Sequence, residues 1–288
     1  MTASVLQLPG RPLADERASL AEELRTVGMV WEREAIRFFR TEARVLSSFI
    51  QPVLFLFVLG YGMSTLVGTT AGFDFKKFLF PGIVAVTVMS TALSSAISIV
   101  WDREFGFLRE MLVAPVSRMS LVSGKTLGGA SIATVQGTII LALAPLIGVR
   151  LTPLLVIEVI GLELLMAVTM TAFGVFVASH IQRMEGFSVV MQLLLFPMLF
   201  LSGALFPLSG LPGWLTVLTR LNPLTYAVAP LRSLVFAAQH MPPAAAAKFS
   251  STVTLFGYPL SNAACVGITC GFAVVFLALA VTGFGQPD

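Results

Sequence analysis

The stretch WDREFGFLREMLVAPVSRMSLVSGKT, residues 101–126, is a polar island in a very apolar chain. It contains seven charged residues, whereas the runs 79–101 and 127–149 on either side contain none. Of the 288 residues, 56% are hydrophobic and 11% are charged, against about 25% charged in a typical soluble domain. Because so little polar surface cannot cover a water-soluble globule, the composition predicts a membrane protein in which this island connects two membrane helices.

Six apolar stretches approach the roughly 20 residues that a helix needs to cross a bilayer. They cover residues 45–67, 79–101, 127–149, 154–179, 187–206 and 261–284. The region 205–236 is also apolar, but four prolines interrupt it, and internal prolines break helices. Irregular backbone at membrane depth must be buried in protein or face water. We therefore expect an all-α polytopic membrane protein with six transmembrane helices and a re-entrant outer hairpin, at about 205–236, between helices 5 and 6.

The distribution of Lys and Arg predicts the orientation in the membrane. With the N-terminus inside, twelve of the 18 basic residues are cytoplasmic: seven before residue 45, four within 101–126, and Arg183. This bias agrees with the positive-inside rule, and six crossings return the C-terminus to the cytoplasm. The first residues lack the apolar core of a signal peptide, so we expect 1–23 to be a cytoplasmic tail and 45–288 to be the membrane domain.

Residues 24–44 have the pattern of an amphipathic helix. One face carries Leu24, Val27, Trp31, Ala35, Phe38 and Phe39, and the other carries an arginine stripe of Arg33, Arg37, Arg40 and Arg44. Such a helix is expected to lie flat on the cytoplasmic membrane surface, with aromatic rings in the acyl boundary and arginines against anionic lipid headgroups. The alternative is a solvated basic segment that flanks the first membrane helix.

Within the island, residues 102–114 alternate in charge and place apolar side chains at helical spacing. An apolar ridge with charges on either side is typical of a helix that docks into a groove of another protein. Pro115 is expected to end this helix, because the residue before a proline disfavours helical geometry. The alternative is an ordinary polar loop. The letters GKT do not form a phosphate-binding loop, since position 119 is Met rather than Gly, and Lys125 is expected to extend to the membrane surface.

Glu163 is the deepest charged residue of the predicted fourth span. An ionisable group inside a membrane faces protein or water by default, so we expect it to pair with a polar side chain such as Gln136 or Gln192. Gly129, Ala133 and Gly137 form a ridge of small residues that permits close helix approach. The pattern leaves open whether the neighbouring helix belongs to this chain or to a second copy.

Two motifs carry a resemblance to a known family. DREFGFLREMLVAPVSR, residues 102–118, resembles the cytoplasmic loop of ABC-2 type exporter permeases, in particular those of the antibiotic-resistance and nodulation-factor branch. FLSGALFPLSGLPGWLTVLTRLNPLTYAVAPLR, residues 200–232, is similar to the segment that follows their fifth span. Both motifs stand at the family's spacing, and with the six-span layout the resemblance covers nearly the whole chain.

The resemblance implies a role for each motif. The first would be a coupling helix that contacts a separate ATPase subunit, through Asp102, Arg103, Glu104, Gly106, Arg109, Pro115 and Arg118. The second would be the outer hairpin, with Gly203, Pro207, Pro212, Asn222, Pro223 and Arg232 at its family positions. Spans two and five would line the transport pathway between two permease copies, which makes candidates of Met89, Ser90, Ser94, Gln192, Phe196 and Phe200 beside the buried Glu163.

The resemblance also implies an assembly. Two permease copies, or this chain and a similar permease, would join two ABC ATPase subunits in a bacterial cytoplasmic membrane. ATP and Mg would bind to the ATPase, so this chain would need no cofactor, metal or catalytic residue of its own. Membrane lipids would be partners, and nucleic acid would not. The cargo would be an amphipathic drug, lipid or glycoconjugate.

Two other classes of function are weaker alternatives. A proton-driven carrier working alone usually contains internal repeats, and none is visible across the six spans. An intramembrane protease needs a base beside a nucleophile. Only His180 and His240 are available as histidine bases, and neither is expected to pair with a buried serine.

Overall fold

The chain folds into helices that follow the apolar runs of its sequence. A computed structural model describes residues 20–40, 49–62, 75–107, 117–208, 211–239, 253–255 and 258–284. The helices in these ranges are α1 (Leu20–Phe39), α2 (Phe49–Gly62), α3 (Phe75–Glu104), α4 (Arg118–Ala142), α5 (Pro153–Ser179), α6 (Met184–Leu201), α7 (Gly213–Leu221), α8 (Pro223–Ala238) and α9 (Asn262–Gly283). Two short strands, β1 (Thr254–Leu255) and β2 (Tyr258–Pro259), pair antiparallel ahead of α9. The all-α fold class is confirmed.

Four of these helices, α3, α5, α6 and α9, are long and apolar enough to cross a membrane. Helix α4 has 25 residues, about 38 Å at 1.5 Å per residue, but Lys125 and Gln136 make it more polar. Helices α2 and α8 are shorter apolar helices. A polytopic membrane protein is therefore confirmed, while the count of six crossings stays a prediction because parts of 45–74 lie outside the described residues.

The core is formed where α3, α4 and α5 pack against one another, with α9 on α5 and α8 against α9. Small residues of α4 bring these helices close together. A side chain at Gly129 would collide with Ser95 of α3 and Thr171 of α5, and a Cβ at Gly137 would lie 3.0 Å from the Glu163 carboxyl carbon. The small-residue ridge of α4 therefore packs within this chain.

Two helix boundaries around the polar island differ from the prediction. Helix α3 continues through Asp102 and ends at Glu104, and Gly106 follows with φ of +81°, the left-handed geometry that often closes a helix. The expected separate helix at 102–114 thus begins inside α3. Helix α4 starts at Arg118 rather than at 127, because the Ser117 hydroxyl caps it by accepting from the Ser120 backbone N–H at 3.1 Å.

Candidate functional site

Helix α1 packs directly on α4, and two glycines of α4 permit the close approach. A Cβ at Gly124 would lie 2.7 Å from the Val30 Cβ, and one at Gly128 would lie 2.8 Å from the Glu34 Cβ. Trp31 Nε1 donates to the Ser131 hydroxyl of α4 at 3.0 Å. Since all of these contacts join α1 to α4, α1 is a packed part of the fold as well as an amphipathic segment.

A buried group of charges joins α1, α3 and α4. Lys125 Nζ donates to Asp102 Oδ2 at 2.6 Å, to Glu34 Oε1 at 3.0 Å and to the Ser98 hydroxyl at 3.3 Å. Lys125 is 3% exposed, Asp102 4% and Glu34 8%. Charges so far from water remain ionised only when they are paired, so these three side chains fix one another in place.

Two arginines of α1 complete this group. Arg33 donates to Asp102 Oδ2 at 2.9 Å, and Arg37 donates to Asp102 Oδ1 at 3.4 Å while lying 5.0 Å from the centre of the Trp101 ring. We call Arg33, Arg37, Glu34, Asp102 and Lys125 the charge cluster.

The charge cluster changes one expectation and adds to another. Lys125 lies inside the protein instead of extending to the membrane surface. Arg33 and Arg37 bind a carboxylate of α3, and their expected contact with lipid headgroups stays a prediction. The reason in both cases is that Asp102 offers a buried partner that the sequence alone does not reveal. Arg40 is exposed at the end of α1, and its expected contact with headgroups stays a prediction.

The other two charges at the end of α3 contact the connection between α5 and α6. Arg103 donates to the backbone carbonyl oxygens of Ser179 at 2.9 Å and of Ile181 at 3.2 Å. The Glu104 carboxylate accepts from the Met184 backbone N–H at 3.2 Å, the first residue of α6. A carboxylate at a helix N-terminus satisfies an otherwise unpaired N–H group and the helix dipole. The last turn of α3 therefore holds the beginning of α6.

The residues expected to couple to an ATPase thus divide into four groups. Asp102, Arg103 and Glu104 bind elements of this chain. Gly106 provides the left-handed turn that ends α3. Arg118 is exposed at the start of α4, whereas Arg109 and Pro115 lie outside the described residues. Contact of any of them with another protein stays a prediction.

A cavity of about 610 Å³ lies between α3 and α6, with α1, α2 and α4 contributing further residues. Four of the expected pathway residues line it: Ser90, Ser94, Gln192 and Phe196. One end of the cavity is bordered by Glu34 and Arg37 of the charge cluster. Polar groups at membrane depth commonly mark the route of a substrate, so this cavity is the candidate site.

The remaining expected pathway residues lie elsewhere. Met89 is fully buried in the helix core, and Phe200 is exposed with its ring stacked on Phe206 at 6.3 Å between centres. Glu163 is 0% exposed, and its Oε2 accepts from the Thr138 hydroxyl at 3.2 Å. Gln192, one of its two expected partners, is instead exposed on α6 and lines the cavity.

The proline-rich region forms the two short helices α7 and α8, and a buried arginine fixes the turn before them. Arg232 is 1% exposed; it donates to the Ala204 carbonyl oxygen at 2.7 Å and lies 4.2 Å from the centre of the Phe78 ring. Gly203 has φ of +77°, a conformation that side chains other than glycine rarely adopt. Arg232 thereby joins α8 to α3 and to the end of α6.

Asn222 forms the junction between α7 and α8. Its Oδ1 accepts from the Leu224 N–H at 3.0 Å, which caps α8, and its Nδ2 donates to the Met198 carbonyl oxygen at 2.8 Å. Pro223 occupies the first turn of α8, where its missing N–H costs nothing. Pro212 precedes α7, and Pro207 lies in the connection after α6. Prolines at helix starts explain why this apolar region is two helices rather than one.

The histidine of the α5 end does approach a serine, which corrects the expectation that no such pair forms. His180 Nδ1 lies 3.0 Å from the Ser179 hydroxyl oxygen. Both atoms also lie within hydrogen-bonding distance of the Phe176 carbonyl oxygen, at 2.9 and 2.7 Å. Because a carbonyl only accepts, this contact suits the tautomer with its hydrogen on Nδ1, and in that tautomer Nδ1 lacks the lone pair that a general base needs. In the part of the chain that the structure describes, no three acidic, histidine or cysteine side chains come together as metal ligands.

Comparison with known proteins identifies the family. A profile of the ABC-2 type transporter matches residues 25–236, which include most of α1, the charge cluster, both walls of the cavity, α7 and most of α8. The chain belongs to the ABC-2 type transporter family. It is a transmembrane permease, and membership implies association with an ABC ATPase.

Named relatives agree with this assignment. The permease is 31% identical over 213 residues to a transport permease, ycf38, of Cyanophora paradoxa, and the aligned region covers 70% of this chain and 71% of that protein. It is 27% identical over 255 residues to nodulation protein J of Rhizobium leguminosarum bv. viciae, covering 85% and 88%. It is 25% identical over 208 residues to the inner membrane transport permease YadH of Escherichia coli K12, covering 70% and 80%.

Several site residues of the permease were missed by sequence reasoning. Glu34, Ser98, Gly124 and Gly128 received no role, and Lys125 received a different one. One signal was available, because the glycines at 124 and 128 repeat at the four-residue spacing of one helix face, immediately beside a lysine. This spacing indicates a close helix contact, although it does not identify α1 as the neighbour.

Proposed function

We propose that this permease forms the membrane path of an ATP-driven exporter. Two copies, or this chain with a similar permease, would join two ATPase subunits that bind ATP and Mg. The assembly would lie in a bacterial cytoplasmic membrane with both termini in the cytoplasm and move an amphipathic drug, lipid or glycoconjugate outward. One observation carries the proposal: the two walls of the cavity, α3 and α6, are bonded together beside the loop of the family's coupling motif.

The contacts on either side of this segment support a mechanism. Residues 105–117 follow α3 directly after Glu104, which bonds to the first N–H of α6. Helix α4, which comes after this segment, carries Lys125 of the charge cluster. When ATP draws two partner subunits together, a displacement of this segment would move the ends of α3, α4 and α6 at once. Because α3 and α6 form opposite sides of the cavity, that movement would change access to it.

Reconstitution tests this proposal. The permease is co-expressed with an ABC ATPase encoded beside it, purified as a complex, and placed in inside-out vesicles with a fluorescent amphiphile. The expected result is uptake that requires ATP and stops with vanadate. Uptake that continues with vanadate and collapses when the proton gradient is dissipated would contradict the proposal.

A proton-driven carrier is the second candidate, and Glu163 is the observation that favours it. This buried carboxylate has one hydroxyl donor on Oε2, and within the described residues its Oε1 receives no hydrogen bond. A membrane carboxylate of this kind is a common proton site in carriers. The glutamine variant separates the two candidates, since a proton-driven carrier would lose transport on Glu163→Gln whereas an ATP-driven exporter would keep it.

A further inference from the structure

We propose that the cavity selects an amphiphile whose polar part is neutral and rich in hydroxyl groups, as in an alkyl glycoside. The inference rests on the proposed function and specifies its cargo by chemistry. It follows from where the hydrogen atoms of the cavity's own hydroxyl groups are already committed, and from the apolar surface that faces them.

The α3 wall of the cavity carries five hydroxyl side chains within nine residues: Ser90, Thr91, Ser94, Ser95 and Ser98. Three of them donate their hydrogen inside the protein. Ser90 donates to the Thr87 carbonyl oxygen at 3.1 Å, Ser95 donates to the Ala92 carbonyl oxygen at 2.7 Å, and Thr91 donates to the Gln136 side-chain oxygen. A hydroxyl that has donated its hydrogen keeps lone pairs that only accept.

The α6 side shows the same pattern. Ser188, which also lines the cavity, donates its hydroxyl hydrogen to the Met184 carbonyl oxygen at 3.0 Å. Four of the six lining hydroxyls therefore act as acceptors toward a ligand, while Ser98 accepts from Lys125 and keeps its hydrogen. A ligand that supplies hydrogen-bond donors meets them well, whereas a carboxylate or phosphate would place its own lone pairs against theirs.

The charge of the lining favours a neutral ligand. The charged side chains that border the cavity, Glu34 and Arg37, are already paired with Lys125 and Asp102, at the end of the cavity where α1 meets α3. Along the rest of the wall the polar groups are hydroxyls and the amides of Gln51 and Gln192. Neutral hydroxyl donors match such a surface without bringing an unpaired charge to membrane depth.

Apart from Gln51, Ser188 and Gln192, the surface opposite α3 is apolar. Helix α6 contributes Phe187, Met191, Leu195 and Phe196, and α2 contributes Phe55. Phe55 is the first residue of a π-helical turn, a geometry that is often found at functional sites. Polar and apolar surfaces thus run side by side, which suits a molecule with a hydroxylated part and an alkyl part. The volume of about 610 Å³ lies within the 300–1,000 Å³ that is usual for small-molecule sites.

Binding to the full permease in lipid nanodiscs tests the inference. Radiolabelled dodecyl maltoside is the probe, and unlabelled dodecyl maltoside, dodecylphosphocholine, dodecyl sulfate and dodecyltrimethylammonium compete for it. All four have the same alkyl chain, and only the maltoside offers hydroxyl donors. We expect saturable binding that the maltoside displaces at least about tenfold more effectively than the others, since two or more net hydrogen bonds separate them.

The double variant Ser90→Ala/Ser95→Ala removes two acceptors without adding volume. It should reduce this preference about tenfold and leave displacement by dodecylphosphocholine unchanged, which also shows that the variant is folded. Ser123→Ala, on α4 outside the cavity, is the matched control and should keep the wild-type preference. Absence of saturable maltoside binding, equal displacement by all four heads, or an unchanged preference in the double variant would each overturn the inference. Since the permease alone is used, vanadate-resistant transport would refute the proposed function separately.

Discussion

Replacing Lys125 with methionine tests whether the charge cluster holds α1 in the fold. Methionine has a similar unbranched shape, so Lys125→Met removes the charge with little change in packing volume. It deletes the contacts to Asp102 at 2.6 Å and to Glu34 at 3.0 Å. Both carboxylates then remain buried without their closest cation.

The magnitude follows from burial. Breaking a buried ion pair by removing one partner costs about 3–5 kcal/mol. Arg33 and Arg37 still face Asp102, but their side chains are 43% and 32% exposed, and such pairs contribute roughly 0–1 kcal/mol. The loss for Lys125→Met should therefore lie near the lower bound, at about 3 kcal/mol of the free energy of unfolding.

Unfolding by sodium dodecyl sulfate in mixed micelles, followed by tryptophan fluorescence, measures this loss. Trp31 on α1 bonds to Ser131, and Trp101 stacks with Arg37, so the signal reports the release of α1 directly. A double-mutant cycle with Asp102→Asn should give a coupling energy of about 1–3 kcal/mol, as expected for residues in contact. Arg118→Met, at an exposed position on the same helix, should change stability by about 0.5 kcal/mol or less.

The reasoning would be refuted by a loss below about 1 kcal/mol for Lys125→Met, the value typical of exposed pairs. A coupling energy of zero with Asp102 would also refute it, because the two groups would then act independently. A loss as large in Arg118→Met would show that the fold responds to any charge removed from α4, and would contradict a specific role for the buried lysine.

Three further predictions concern the other contacts. Gly82→Ala should destabilise the permease by about 1–3 kcal/mol, because the new methyl group would collide with the Ala204 carbonyl oxygen. Unfolding in the same micelles measures this loss, and wild-type stability of the variant would exclude the close approach. Glu104→Ala removes the acceptor of the Met184 N–H, so it should cost no more than about 2 kcal/mol of stability. It should also lower the amount of substrate exported per ATP hydrolysed. An unchanged amount of substrate per ATP would show that this bond does not transmit movement from α3 to α6. Glu163→Gln should leave vanadate-sensitive export intact, and loss of export in a folded variant would favour proton coupling.

The helical framework could be predicted from the sequence because a long apolar run indicates a helix buried in lipid, and this inference needs no knowledge of the neighbouring helices. Prolines also limit helices within 205–236: Pro212 and Pro223 lie at the starts of α7 and α8, as expected, whereas Pro230 lies inside α8 and does not end it. The end of α3 was misplaced for a related reason: Asp102 and Glu104 look like the start of a polar docking helix, and the partners that accommodate them inside the fold come from other elements.

The charge cluster could not be predicted because its members are distant in sequence. Glu34 and Lys125 are 91 residues apart, and Arg33 and Asp102 are 69 residues apart. Helical periodicity places the arginines of α1 on one face, but it does not distinguish a face toward lipid headgroups from a face toward a buried carboxylate. Ser90, Ser94, Gln192 and Phe196 line one cavity because α3 and α6, the two spans that the resemblance paired, face each other. Their role in a transport pathway stays a prediction.

The distance between Glu34 and Lys125 has a consequence for biosynthesis. A ribosome adds about 5–20 residues per second, so α1 leaves the exit tunnel roughly 5–20 seconds before the lysine that neutralises its glutamate. During that interval, α1 has no α4 on which to dock, and its charges remain hydrated. Helix α1 therefore waits for a partner that is translated 91 residues later, and it can reach its final place only after the third apolar segment has been synthesised.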